Sequence, residues 1–154
     1  MTQSTETPIL RTLGPGDLEE LCRLEALCFT DPWSRDSLAE ELDNPLAVYT
    51  GLGRGSALLG YVGTRRVLDE WEIVNVAVDP AFRREHLGSR LLEAVLQEAR
   101  AQGAKQIFLE VRESNAPARG LYEKYGFRPI ARRKNYYDHP VENAIVMAWG
   151  GEEE

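Results

Sequence analysis

The sequence predicts an α/β fold of the α+β type, a mixed and mainly antiparallel sheet of about seven strands flanked by about four helices. Three observations carry that expectation. Short runs with apolar residues at alternate positions, bounded by glycine or proline, recur along the chain. One long segment, 87–102, carries its apolar residues at helical spacing instead. The segments follow one another as strand, two helices, three strands, helix, strand, helix and two strands, which reads as a layered structure around one sheet.

Residues 8–12 form the first expected strand. Gly14, Pro15, Gly16 and Asp17 then open a helix with Leu18, Leu21, Leu24 and Leu27 on one face. Asp31, Pro32 and Trp33 interrupt the pattern, and Ser34 can cap a second short helix that buries Leu38 and Leu42. Strands at 48–52 and 57–64 are joined through Gly51, Gly53 and Gly55, a hairpin signal. A fourth strand covers 71–78. The clearest helix runs from Leu87 to Gln102 with Leu91, Leu92, Val95, Leu96 and Ala99 inward, and stops at Gly103. In the fifth strand, 106–111, Ile107, Leu109 and Val111 share one face while Phe108, Glu110 and Arg112 share the other. A helix over 115–125 ends at Gly126, and two strands, 127–137 and 141–149, close the chain around a turn at Asp138, His139 and Pro140.

A chain of 154 residues is one domain by length, so a single domain over 1–154 is expected, with 1–7 and 150–154 as frayed ends. No apolar run approaches the roughly 20 residues that span a bilayer. The first residues lack the basic and apolar regions of a secretory signal, and the expected compartment is the cytoplasm. No membrane partner is expected, and a net charge of −7 argues against nucleic acid held by phosphate neutralisation; the charge suits a cationic partner such as a basic peptide, or serves only to keep the protein dispersed. Cys22 and Cys28 project from different faces of one helical stretch, which suits small apolar side chains better than a disulfide. His86 and His139 have no Cys or His neighbours at ligand spacing, so no metal is expected.

Chemistry concentrates later in the chain. Arg83, Arg84, Glu85, His86, Leu87, Gly88 and Ser89 place two arginines and a run of backbone amides at a helix start, an arrangement suited to phosphates. Glu110 and Tyr122 sit near the ends of later elements, where they could move protons. Together they suggest acyl transfer from a phosphate-bearing carrier. From the residues alone, other roles stay open. Arg83 and Arg84 also read as a solvated turn, Glu110 as a strand glutamate paired with Arg112, Tyr122 as packing, Asn115 as an N-cap, and 76–78 as core.

Four pieces in order carry a resemblance: residues 31–34 (Asp-Pro-Trp-Ser), 75–80 (Asn-Val-Ala-Val-Asp-Pro), 109–116 (Leu-Glu-Val-Arg-Glu-Ser-Asn-Ala) and 132–137 (Arg-Arg-Lys-Asn-Tyr-Tyr). With the loop at 83–88, the chain resembles the GNAT family of acetyl-CoA-dependent N-acetyltransferases over residues 60–149. It is most similar to the members that acetylate the N-terminal alanine of a ribosomal small-subunit protein. The resemblance implies acetyl-CoA as co-substrate, with no metal. Amides across 84–89 would hold its pyrophosphate. Val76, Ala77 and Val78 would read the pantetheine arm through their backbone, and Asn115 would contact the carrier. One departure stands in the loop: the family's first glycine is His86, a residue type more tolerant of positive φ than most.

The resemblance further implies Glu110 as general base and Tyr122 as general acid in direct transfer, with no acyl-enzyme. An α-amine with a pKa near 8 must lose a proton before it attacks. Trp33, Tyr136 and Tyr137 would border the entrance for a basic N-terminal peptide of a ribosomal protein, which Asp31, Glu40, Glu41 and Asp138 could attract. A monomer or weak dimer is expected. Two alternatives remain: another acceptor (a broad range of N-termini, lysine or a small amine), or a non-catalytic acyl-CoA-binding regulatory module.

Overall fold

The computed structural model describes residues 7–150. Its elements follow the expected order: β1 (Ile9–Thr12), α1 (Leu18–Cys28), α2 (Arg35–Asp43), β2 (Ala47–Arg54), β3 (Ala57–Val67), β4 (Glu70–Val78), α3 (Leu87–Gln102), β5 (Gln106–Arg112), α4 (Ala116–Lys124), β6 (Arg128–Tyr137) and β7 (Glu142–Gly150). Two short 3-10 turns, Pro15–Asp17 and Pro80–Glu85, were not expected from periodicity. The strands make one seven-stranded sheet in the order β1-β2-β3-β4-β5-β7-β6. β4 and β5 pair in parallel, while β5–β7 and β6–β7 are antiparallel. Of the ends expected to fray, 1–6 and 151–154 lie outside the described residues, and Gly150 closes β7 opposite Gln106. No helix among the described residues is long and apolar enough to cross a membrane.

The chain divides into two compact units, one running up to Thr64 with Asn75–Val95, the other comprising Arg65–Val74 and the residues from Leu96 onward. In the first unit, Leu21, Leu24, Leu38, Tyr49 and Tyr61 form the heart of the core. Here one expectation is corrected. Leu27 is 51% exposed, and Glu25 at 1% takes the buried position. The reason is helical phase: Glu25 follows Leu18 by seven residues and Leu21 by four, on their face, whereas Leu27 rotates away. Ser34 caps α2 as expected, its Oγ accepting from Ser37 N at 3.1 Å. Gly60 permits close approach of β4, because a Cβ there would stand 2.9 Å from the Ala77 carbonyl oxygen.

In the second unit the alternation of β5 is as expected. Ile107, Leu109 and Val111 are buried and lie opposite Trp149, Met147 and Ile145 of β7. Such directly opposed apolar pairs on one face are the units of sheet stabilisation. Asn115 caps α4, its Oδ1 accepting from Ala118 N at 3.2 Å, and Gly126 at φ 101° ends the segment after it. β6 departs from regular pairing between Arg133 and Tyr137. Asn135 there adopts φ 51°, and its N–H donates to Asn143 Oδ1 at 3.0 Å. An irregularity of this kind re-aims side chains, and the site depends on it.

Candidate active site

β5 turns Glu110 away from the buried face, and the irregular stretch of β6 supplies its partners. Tyr136 Oη donates to Glu110 Oε1 at 2.7 Å, and Arg133 Nε lies 2.6 Å from Glu110 Oε2. The alternative pairing with Arg112 does not occur. Arg112 Nη1 instead donates to Glu142 Oε1 at 3.1 Å and to the Pro140 carbonyl at 2.9 Å, with its guanidinium 4.4 Å from the centre of the Tyr137 ring. Tyr136 and Tyr137 meet edge to face with ring centres 5.0 Å apart. Glu110 lines a cavity of about 320 Å³ together with Glu72, Phe108, Ile130, Arg133 and Val146.

Tyr122 is buried on α4 against Phe127, with ring centres 5.7 Å apart. Burial pushes its hydroxyl pKa up to about 12, so the group keeps its proton through the neutral range. Tyr137 is also raised to about 12, first by burial and then by the charges of Tyr136 and Glu110, with Arg112 opposing and Tyr122 adding a smaller push. Glu110, Tyr136, Tyr137 and Tyr122 are therefore electrostatic neighbours within the second unit.

Of the other expected site residues, Asn115 belongs to the second unit, at the start of α4, and the rest to the first. β4 carries Val76, Ala77 and Val78, and the 3-10 turn Pro80–Glu85 leads into α3. Asp79 opens that turn, its Oδ1 accepting from Ala81 N at 2.9 Å, and Arg83 Nε donates back to the Val78 carbonyl at 3.2 Å. His86 sits at φ 62° and ψ 30°, in the left-handed region. A residue with a Cβ is uncommon there, and histidine is among the types that tolerate it better. Leu87 is buried and anchors α3, so Gly88 and Ser89 fall in its first turn, whose amides have no intrahelical partner. The helix dipole adds partial positive charge at the same end.

Trp33 is half-buried against the core of the first unit. Its backbone N–H donates to Glu25 Oε1 at 2.9 Å. Glu25 also accepts from the Tyr61 hydroxyl and the Asn75 side-chain amide, and burial raises its carboxyl pKa. Glu41, expected to face a cationic peptide, is instead buried and accepts from Tyr49 Oη at 3.1 Å. Asp31, Glu40 and Asp138 are exposed. Cys22 and Cys28 are free thiols, with Cys28 Sγ 3.4 Å from the Val78 carbonyl. Among the described residues no group of three or more potential ligands could hold a metal ion.

Residues 18–127 match the family described as Acetyltransferase (GNAT). The chain belongs to the GNAT family. It is 38% identical over 139 residues to a Bacillus subtilis protein provisionally named a ribosomal protein bS18-alanine N-acetyltransferase, covering 90% of this chain and 92% of that one. It is 35% identical over 153 residues to the N-alpha-acetyltransferase RimI of Mycobacterium tuberculosis, covering 96% and 95%. The crystal structure of the Escherichia coli ribosomal-protein-S18-alanine N-acetyltransferase superposes with a TM-score of 0.90 at 33% identity, covering 96% of each chain.

Against this GNAT background, the sequence singled out the loop, the carboxylate and the tyrosines, but not the groups that hold them. The partners of Glu110 were missed because the irregular stretch of β6, which directs Arg133 and Tyr136, leaves no periodic trace. Glu25 had a legible signal in its phase with Leu18 and Leu21, which a reading of leucines alone passes over. Glu72 could have been reached from its place opposite Phe108, which requires the β4–β5 register.

Proposed function

We propose that the chain transfers the acetyl group of acetyl-CoA to the N-terminal α-amino group of a protein, most favourably an N-terminal alanine of a ribosomal small-subunit protein in the cytoplasm. The observation that carries this reading is the extent of the likeness. Relatives with that named activity match over 90% and more of the chain, acceptor-side segments 31–34 and 132–137 included, not the carrier loop alone.

Acetyl-CoA supplies the acetyl thioester. The residues fit such a carrier: two exposed arginines, a left-handed turn and free first-turn amides meet at the start of α3. In this reading, amides across 84–89 bind the pyrophosphate, and the backbone of 76–78 together with Asn115 orients the arm. Glu110, oriented by Tyr136 and Arg133, takes a proton from the acceptor ammonium. The freed amine forms the new N–C bond as the C–S bond breaks. Tyr122, still protonated, gives its proton to the departing sulfur, and the second proton, which the nitrogen sheds on becoming an amide, restores the tyrosine hydroxyl. Trp33, Tyr136 and Tyr137 border the acceptor. The whole chain acts as one catalytic domain and needs no metal for these steps.

The test is mass spectrometry of peptides beginning with Ala, Ser or Met, with and without an internal Lys, after incubation with acetyl-CoA. Acetylation of the α-amine of the Ala peptide is expected to lead. Modification confined to Lys, or none at all, would overturn the reading.

A further inference from the structure

We propose that Glu72 is an acceptor-binding residue of this site, the carboxylate that receives the acceptor's ammonium group before Glu110 takes its proton. The inference rests on the reading of the cavity beside Glu110 as the acceptor site. Glu72 lies opposite Phe108 in the parallel β4–β5 register. Cross-strand partners point to the same face, and alternation puts Phe108 and Glu110 on that face too. Strand spacing and rise then separate the Cα atoms of Glu72 and Glu110 by about 8 Å. Both residues line the same cavity of about 320 Å³.

The two carboxylates differ in occupancy. Each oxygen of Glu110 already has a donor, Tyr136 Oη on Oε1 and Arg133 Nε on Oε2. Among the described residues, none makes a hydrogen bond or ion pair with Glu72, which is exposed and lines the cavity. Its charge nevertheless reaches Tyr136, so it stands close to the same machinery. Arg133 offsets one of the two lining carboxylates, which leaves the cavity one net negative charge. The remaining lining residues, Phe108, Leu109, Ile130, Ala131 and Val146, are apolar.

That combination suits a cation attached to a small apolar group. An α-amine with a pKa near 8 arrives mostly as ammonium at neutral pH, so a cation must be bound before the base can act. A charge-assisted hydrogen bond to an open carboxylate is a strong way to hold it. Glu72 then serves binding, and Glu110 serves proton removal.

The test compares two peptides of one sequence, the first with a free N-terminal alanine amine, the second with that amine replaced by hydrogen. Binding of each is measured by calorimetry with CoA present, for the unaltered protein and for Glu72→Gln. The unaltered protein should prefer the amine-bearing peptide by roughly tenfold. Glu72→Gln should erase the preference while keeping acetyl-CoA affinity within about twofold, and its turnover loss should fall on KM more than on kcat. A preference that survives in Glu72→Gln, or one that is absent from the unaltered protein, would overturn the inference. Acetylation of an α-amine alongside either result would sink this inference and spare the reading beneath it. Failure of the peptide panel would overturn the reading itself and the acceptor role of Glu72 with it, and a preference that persisted would then report ammonium binding without transfer.

Discussion

The hydroxyl of Tyr136 donates to Glu110 Oε1 at 2.7 Å, so a side chain from the irregular stretch of β6 holds a carboxylate on β5. The two residues lie 26 positions apart in sequence and meet only through the β5–β7–β6 pairing. Removing the hydroxyl without changing the ring tests what the contact does. Tyr136→Phe should lower kcat by roughly fivefold, the effect of about 1 kcal/mol for one hydrogen bond. Its acetyl-CoA affinity should stay unchanged. Steady-state kinetics beside calorimetry checks both, and an unchanged kcat would show that Glu110 needs no such partner.

Tyr122 keeps its proton far into the alkaline range, with its pKa pushed up to about 12 by burial. The rate should therefore show no alkaline fall from this group below about pH 10. Tyr122→Phe should reduce kcat by about a hundredfold, within the range for a positioned acid, with little change in acetyl-CoA affinity. A wild-type kcat in Tyr122→Phe would leave the ring as packing against Phe127.

His86 occupies the left-handed region at φ 62°. His86→Gly should bind acetyl-CoA as well as the parent or better, because glycine meets no steric penalty there. His86→Val should weaken binding by roughly tenfold, since a β-branched residue is strained at positive φ. Gly88→Trp, which fills the first turn of α3, should abolish binding and leave the far-ultraviolet circular dichroism unchanged. Equal affinities across this set, measured by calorimetry, would remove the loop from the carrier site.

Glu25 gives a pH-dependent stability with a definite sign. Burial raises its folded pKa above the ordinary 4.5, outweighing the donors Tyr61, Trp33 and Asn75. The folded chain then holds a proton that the unfolded chain releases, so this contribution is full below about pH 4.5 and is lost as pH rises through the folded value. Glu25→Gln cannot ionise. Its melting temperature relative to the parent should therefore climb between pH 4.5 and 8. A difference that stays flat across that range would contradict the raised carboxyl.

Much of the fold was legible because its signals are local. The helix at Leu87–Gln102 and the alternation of Ile107, Leu109 and Val111 follow from period and burial, and the structure reproduces them. Ser34 and Asn115 were readable as caps, since a cap acts within three residues. Leucine spacing alone does not place Leu27, because the phase of the whole turn brings Glu25 inward. Glu41 escapes the sequence for a related reason: its charge suggests solvent, while Tyr49 on β2 supplies a buried donor that only tertiary structure brings near. The contacts to Glu110 depend on an irregular pairing that no periodic pattern encodes.

The most direct measurement is the turnover of Glu110→Gln on a peptide with an N-terminal alanine, taken alongside its affinity for acetyl-CoA. Glutamine keeps the shape: its one amide oxygen can accept from Arg133 Nε while its NH2 donates to Tyr136 Oη, but it is no longer a base. The kcat should drop by at least about a hundredfold at neutral pH, with acetyl-CoA affinity within about twofold of the parent. An unchanged kcat would contradict the account at its centre.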